Sequence, residues 1–191
     1  MNHAVLIRLN YKEDYPHLNW RLSFFESMVL PRLLKQTVPD FDIWVYCNPL
    51  HVDRLKAMSD RIKTYSTNRT DPALPKYDIQ TRHDSDDLVS LDYIFKIQEI
   101  CKNHEKTVPL VISFQPYKLD LWTLNRHPYA RYNARNCSAF QSLYFPDKEK
   151  EYRNILSFNH RRIWQTYPDV VTIPLGYCDI IVHDSNDGTK L

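Results

Sequence analysis

The sequence predicts an open α/β fold: a mixed, mostly parallel sheet flanked by helices, formed by residues 1–191 as a single domain. Three observations carry this. Short apolar runs of strand length alternate with stretches of helical period, and each strand-helix-strand passage implies a crossover to a parallel neighbour. The chain of 191 residues is long enough to bury a core without disulfides or structural metals. Its two glycines, Gly176 and Gly188, leave no room for a glycine-rich phosphate loop, which excludes the dinucleotide and P-loop folds.

Taken in order, Ala4 to Leu9 is an apolar run of the buried parallel kind, with Arg8 placed at its C-terminal end. Arg8 there reaches a ligand phosphate or base, or else pairs with a surface acid. From Asn19 to Gln36 the period turns helical, with Leu22, Phe25, Val29 and Leu33 in one stripe and Pro31 forcing a kink or a restart. Phe41 to Cys47 is a second apolar strand. His51 to Lys63 reads as a helix, Lys63 to Ser66 as a short edge strand, and residues 68–75 as a loop. Leu91 to Cys101 is amphipathic, with Ser90 as its cap.

Leu110 to Phe114 is a further buried strand, and Tyr117 to Thr123 alternates as a strand with an antiparallel neighbour. Asn125 to Ser138 is polar and rich in Arg and Asn, a long loop that either closes over a ligand or runs free on the surface. Glu149 to Trp164 is helical in part, and Val170 to Ile173 and Tyr177 to Val182 close the chain as strands.

Between these elements lies the stretch with the most chemistry. Ile79, Thr81 and His83 alternate with Gln80 and Arg82 as an extended strand that runs into Asp84, Ser85, Asp86 and Asp87. If the chain stays extended, Asp84 and Asp86 point the same way. Two converging carboxylates need a cation between them, and hard oxygen donors suit Mg²⁺ or Mn²⁺ with diphosphate oxygens filling the other positions. The competing reading makes Ser85, Asp86 and Asp87 a turn and a helix cap. His183, after the last strand, would complete a Mn²⁺ sphere, though a lone His is more often a surface residue.

Ligands of open α/β sheets bind outside the carboxyl ends of the strands, and Arg8, Asn48, Asp84, Asp86 and His183 all fall there. A net charge of +2, from 25 basic and 23 acidic residues, gives no reason to expect a nucleic-acid partner. No long apolar span marks a membrane crossing, and the four dispersed cysteines, with no export signal, suggest reduced thiols in a cytoplasmic setting.

In its ordered pieces the chain resembles nucleotide-sugar glycosyltransferases of the GT-A fold, specifically the rhamnosyltransferase family of bacteria and large viruses. The resemblance spans most of the chain. It rests on Leu6-Ile7-Arg8-Leu9-Asn10, on Phe25-Glu26 through Leu30-Pro31 and Gln36-Thr37, and above all on Thr81-Arg82-His83-Asp84-Ser85-Asp86-Asp87. Tyr117-Lys118-Leu119-Asp120 and Val182-His183-Asp184-Ser185-Asn186 are similar to later family segments, with Asp184 where the family usually has glycine.

The resemblance implies a metal-dependent transfer of a sugar, rhamnose by family, from a nucleoside diphosphate donor, UDP favoured, to a glycan or glycoprotein acceptor. The domain then stands alone or as one module of a longer chain. Asp84-Ser85-Asp86 becomes the DXD motif, with Asp86 a direct Mn²⁺ or Mg²⁺ ligand and Asp84 on the metal, its water or the ribose. Arg82 binds phosphate, braces the acids, or is simply an ion-pair partner of Asp84. Asp120, Asp179, Asp184 and His160 are candidates for the base of an inverting mechanism. Asp86→Ala is expected to abolish transfer and leave the fold intact, as a loop-facing acid contributes little packing. The rival readings are a metal-dependent phosphoesterase or nuclease using the same acids, and a non-catalytic nucleotide- or carbohydrate-binding module.

Overall fold

The computed structural model describes residues 1–9, 18–66, 75–129, 140–147, 149, 152–159 and 162–182. The chain enters as β1 (His3–Leu9) and crosses through α1 (Leu18–Phe24), a π-helical turn at Phe25–Val29 and α2 (Leu30–Leu34) into β2 (Asp42–Cys47). A 3₁₀ turn at Pro49–His51 and α3 (Val52–Met58) lead to β3 (Ile62–Ser66). There follow β4 (Ile79–Asp84), the two-residue β5 (Leu88–Val89), α4 (Tyr93–Lys102), β6 (Leu110–Phe114), β7 (Tyr117–Asp120), β8 (Arg126–Pro128) and β9 (Gln141–Tyr144). A 3₁₀ turn at Ile155–Ser157, α5 (Ile163–Thr166), β10 (Val170–Ile173) and β11 (Cys178–Val182) complete the described chain.

Among the described residues, seven strands form the main sheet in the order β10-β6-β9-β4-β1-β2-β3. Strands β3, β2, β1 and β4 are mutually parallel, as are β6 and β10, and only β9 runs antiparallel, between β4 and β6. The mixed, mostly parallel sheet expected from the apolar runs is therefore present. Its two faces are both covered, which is why the runs are apolar without a strict alternation. One face, with Val5, Ile7, Ile43, Val45, Ile79, Ile112 and Phe114, packs against Leu22, Phe25 and Leu33 of the first helical segment and Ile94 and Ile97 of α4. The other, with Ala4, Leu6, Val111 and Leu143, packs against Ile155, Leu156, Ile163 and Tyr167.

Pro31 does restart the first helix. With no N–H to give to the preceding turn, it sits at the start of α2, and the turn before it widens so that the Leu30 N–H bonds the Phe25 carbonyl five residues back. The start of α4 is capped from outside: Gln36 Oε1 accepts the Ile94 N–H at 2.9 Å while its Nε2 donates to the Ser90 carbonyl at 2.7 Å. Ser90, expected as the cap, instead gives its hydroxyl to Asp92 at 2.6 Å.

Three expectations need correction. The helix begun near His51 ends at Met58, and β3 takes over at Ile62. Tyr117 to Thr123 stops being a strand at Asp120, and it belongs to a second sheet, β5-β11-β7-β8, in which it pairs antiparallel with β8 and parallel with β11. The loop expected from Asn125 contains β8, and its residues 130–138 lie outside the described residues. Between Glu149 and Trp164 the chain is helical in part, as expected: the described residues have a 3₁₀ turn at Ile155–Ser157 and the start of the single-turn α5.

A buried polar chain crosses the sheet: His3 Nε2 shares a hydrogen bond with Thr81 Oγ1 at 2.7 Å, and that hydroxyl another with Ser142 Oγ at 2.7 Å. Burial pushes the His3 imidazole down to about 3 from an ordinary value of 6.5, and it lowers His83 as well. The unfolded chain thus takes up protons near pH 6.5 that the folded chain refuses, so stability is full above 6.5 and falls as the pH drops toward 3. Urea midpoints measured between pH 7 and pH 4 are expected to decline, and His3→Gln is expected to flatten the decline. A slope unaltered in that variant would dismiss His3 as its source.

Candidate functional site

The site begins in the registry of two central strands. Arg8 stands beside Asp84 on one side and Tyr46 on the other, and residues in register across parallel strands share a face. That face therefore presents Tyr46, Arg8 and Asp84 in one row near the carboxyl ends of β2, β1 and β4. Arg82 projects from the same face one row below. The Arg8 guanidinium donates to the Leu156 carbonyl, which fastens the 3₁₀ turn over this part of the sheet. Nearby, Asn154 Nδ2 donates to the Tyr46 hydroxyl at 3.4 Å.

Arg82 is only 9% exposed, and its partner among the described residues is Asp84, whose Oδ1 lies 3.5 Å from Arg82 Nε. That contact is an ion pair without hydrogen-bond alignment, and Nε is buried with no hydrogen-bond acceptor. Asp84 itself keeps 32% of its side chain exposed. A buried guanidinium beside a half-open carboxylate is a place where an anion and a cation can be held together.

Beyond Asp84 the chain does not stay extended. Ser85 and Asp86 form a turn closed by the Asp87 N–H on the Asp84 carbonyl at 3.4 Å, so strand alternation does not aim Asp84 and Asp86 at a common point. Asp and Ser favour such turns because their short side chains compete for nearby backbone, and here that preference overrides the β4 period. The competing expectation of a helix cap does not hold either, since β5 intervenes before α4.

Each acid of the turn has its own environment. Asp86 is 5% exposed and pairs with Arg21 of α1, with Nη1 2.8 Å from Oδ2. Asp87, equally buried, accepts the Ile181 N–H of β11 at 3.1 Å. Burial, with the neighbouring charges of Asp86 and Asp84, pushes the Asp87 carboxyl well above its ordinary value. Among the described residues no three His, Cys, Asp or Glu side chains gather as a metal cluster. Magnesium, however, needs only one or two protein carboxylates, and the oxygen donors of Asp84 and Asp86 fit Mg²⁺ or Mn²⁺ in kind.

The remaining expected residues are dispersed. Asp120 closes the β7–β8 turn, accepting the N–H groups of Trp122 and Thr123 at 2.8 and 3.0 Å, and those bonds lower its pKa. Asp179 is paired with Arg126 at 2.6 Å, and the Arg126 guanidinium lies 3.9 Å from the Tyr117 ring centre. Asp179 does stand in register with Leu88, one residue past the acid turn. His160, His183 and Asp184 lie outside the described residues. Arg21 was not singled out by any motif. Its signal was its position inside the apolar stripe Leu18, Leu22 and Phe25, where a buried cation needs a partner.

A protein-family model described as "Putative rhamnosyl transferase" matches residues 51–191. Among curated proteins no match was found. Among solved structures, S. aureus TarS 1-349 superposes with a TM-score of 0.58 at 12% identity, covering 95% of this chain and 60% of that one. The same protein in complex with UDP-GlcNAc gives a TM-score of 0.58 at 12% identity over all of this chain and 61% of that one. A 4-diphosphocytidyl-2C-methyl-D-erythritol synthase from Anaerococcus prevotii gives 0.51 at 13% identity, covering 90% of this chain and 86% of that one. The chain thus spans about 60% of the length of TarS 1-349. At these identities the likeness is one of fold, and it places the mostly parallel sheet in the GT-A class. No helix among the described residues is long and apolar enough to cross a membrane.

Proposed function

The chain belongs to the rhamnosyl transferase family, and from that premise we propose that it transfers a sugar from a nucleoside diphosphate donor to a glycan or glycoprotein acceptor. The observation that carries the reading is the placement of Arg82, Arg8 and Asp84 on one face at the carboxyl ends of parallel strands. Open α/β sheets take their ligands there.

In this reading Arg82 offers its unspent N–H donors to a diphosphate oxygen, and Arg8, already fixed by the Leu156 carbonyl, contributes positive charge to the same face. Asp84 and Asp86 would hold Mg²⁺ or Mn²⁺, which when bound neutralises the charge that builds on the departing diphosphate. The buried turn keeps Asp86 in place and leaves Asp84 facing the ligand. UDP is the favoured nucleotide, supported by the structural likeness to TarS, which has been solved with UDP-GlcNAc and with UDP. Rhamnose is favoured as the sugar on the family description. Asp120 is a weak base candidate because its carboxylate is spent on two N–H groups, and Asp179 would have to release Arg126 to act.

Calorimetric titration of UDP, dTDP and GDP, with Mn²⁺ and again with EDTA, tests this. UDP is expected to bind with Mn²⁺ and more weakly in EDTA. Equal binding in the two conditions would return the protein to the class of metal-independent binding modules, and no binding to any nucleotide would overturn the transferase reading.

A further inference from the structure

Arg21 and Asp86 form a pair between side chains that are each only 7% exposed, and Arg21 sits in the helix stripe that packs on the sheet. Stability alone is a poor reason for such a pair, since a buried ion pair is often no better than two apolar side chains of similar volume. What the pair does supply is a fixed carboxylate. The turn that carries Asp86 is held from two directions, by Arg21 of α1 at 2.8 Å and by the bond from the Ile181 N–H of β11 to Asp87 at 3.1 Å. Asp84, by contrast, stays half open beside Arg82.

We propose that Arg21 is a positioning residue: it fixes the Asp86 carboxylate in the orientation a divalent cation and a nucleoside diphosphate require. The inference rests on the metal-diphosphate reading above and adds a residue to it. Arg21 touches neither sugar nor phosphate. It acts through Asp86, as the groups hydrogen-bonded to ligating carboxylates do, and loss of such a group lowers metal affinity about 10- to 100-fold.

The experiment measures Mn²⁺ affinity in the presence of UDP, by electron paramagnetic resonance of free Mn²⁺, for the parent, Arg21→Met and Arg21→Lys. Melting in EDTA identifies which variants are folded. Arg21→Met is expected to lose about 10- to 100-fold in Mn²⁺ affinity while its UDP affinity in EDTA matches the parent's. Arg21→Lys, which keeps the charge in a shape that cannot fork onto a carboxylate, is expected to fall between the two. If Arg21→Met does not fold, Arg21→Lys alone decides. A folded variant with the parent's Mn²⁺ affinity overturns the positioning role and returns Arg21 to a purely structural one. A parent protein that takes up no Mn²⁺ beside UDP overturns the reading underneath instead.

Discussion

Asp86→Ala is expected to abolish transfer and also to destabilise the protein, whereas Asp84→Ala is expected to abolish transfer with a smaller loss of stability. The two acids look equivalent in the sequence, and the structure separates them. Asp86 is a close counter-ion of a guanidinium that is itself 7% exposed, so removing the carboxylate takes its 2.8 Å partner from a buried cation. Breaking one side of such a pair costs about 3–5 kcal/mol, a fall in melting temperature on the order of 10 °C for a domain of this size. This replaces the expectation that an acid on a loop can be removed without structural consequence. Asp84 keeps about a third of its side chain in water, and its 3.5 Å contact with the buried Arg82 lacks hydrogen-bond alignment, so less is lost with it than with the close Arg21–Asp86 pair. Urea denaturation of both variants in EDTA, beside transfer assays with Mn²⁺, reads the two effects separately. An Asp86→Ala protein with the parent's denaturation midpoint would show that Arg21 finds another partner and that the turn is not anchored as described.

The parts of this architecture legible in the sequence are those fixed by local period. β1, β2, β4 and β6 are apolar runs because both faces of the sheet are covered, and the helix from Leu18 announces itself by a stripe that Pro31 interrupts. β9 is not legible. Its Gln141 and Ser142 are buried polar residues in a four-residue strand, and they belong inside only because Arg82 and Ser113 flank Gln141 in register while Thr81 flanks Ser142. The second sheet is hidden for a related reason: β5 has two residues, and what makes it a strand is pairing with β11, almost ninety positions away in the chain. At the site, position gave away Asp84, since an acid at the end of a buried strand is conspicuous. The direction of Asp86 was lost because turn chemistry overrode alternation, and Arg21 was lost because its partner lies on a different element.

Arg82 offers the other large effect. Arg82→Ala is expected to weaken UDP binding about 10- to 100-fold, because a hydrogen-bonded contact to a charged group is worth about 1.5–3 kcal/mol. The guanidinium has five N–H donors, and among the described residues it meets only the misaligned Asp84 carboxylate while lying nine-tenths buried. Its Nε is buried with no acceptor, which costs free energy, and a diphosphate oxygen at the strand ends would satisfy it. The rival account makes Arg82 a brace that merely holds Asp84. The two diverge when the metal is removed. If Arg82 contacts phosphate directly, the loss of UDP affinity in Arg82→Ala persists in EDTA, and Arg8→Ala, which gives up a guanidinium already committed to Leu156, loses less. If Arg82 works only by steadying Asp84 for a cation, parent and variant bind UDP equally once EDTA is present, and the phosphate contact is refuted. Arg82→Lys sharpens the comparison, since a point charge keeps the attraction for phosphate but forfeits the planar fork, and its affinity is expected to lie between the other two.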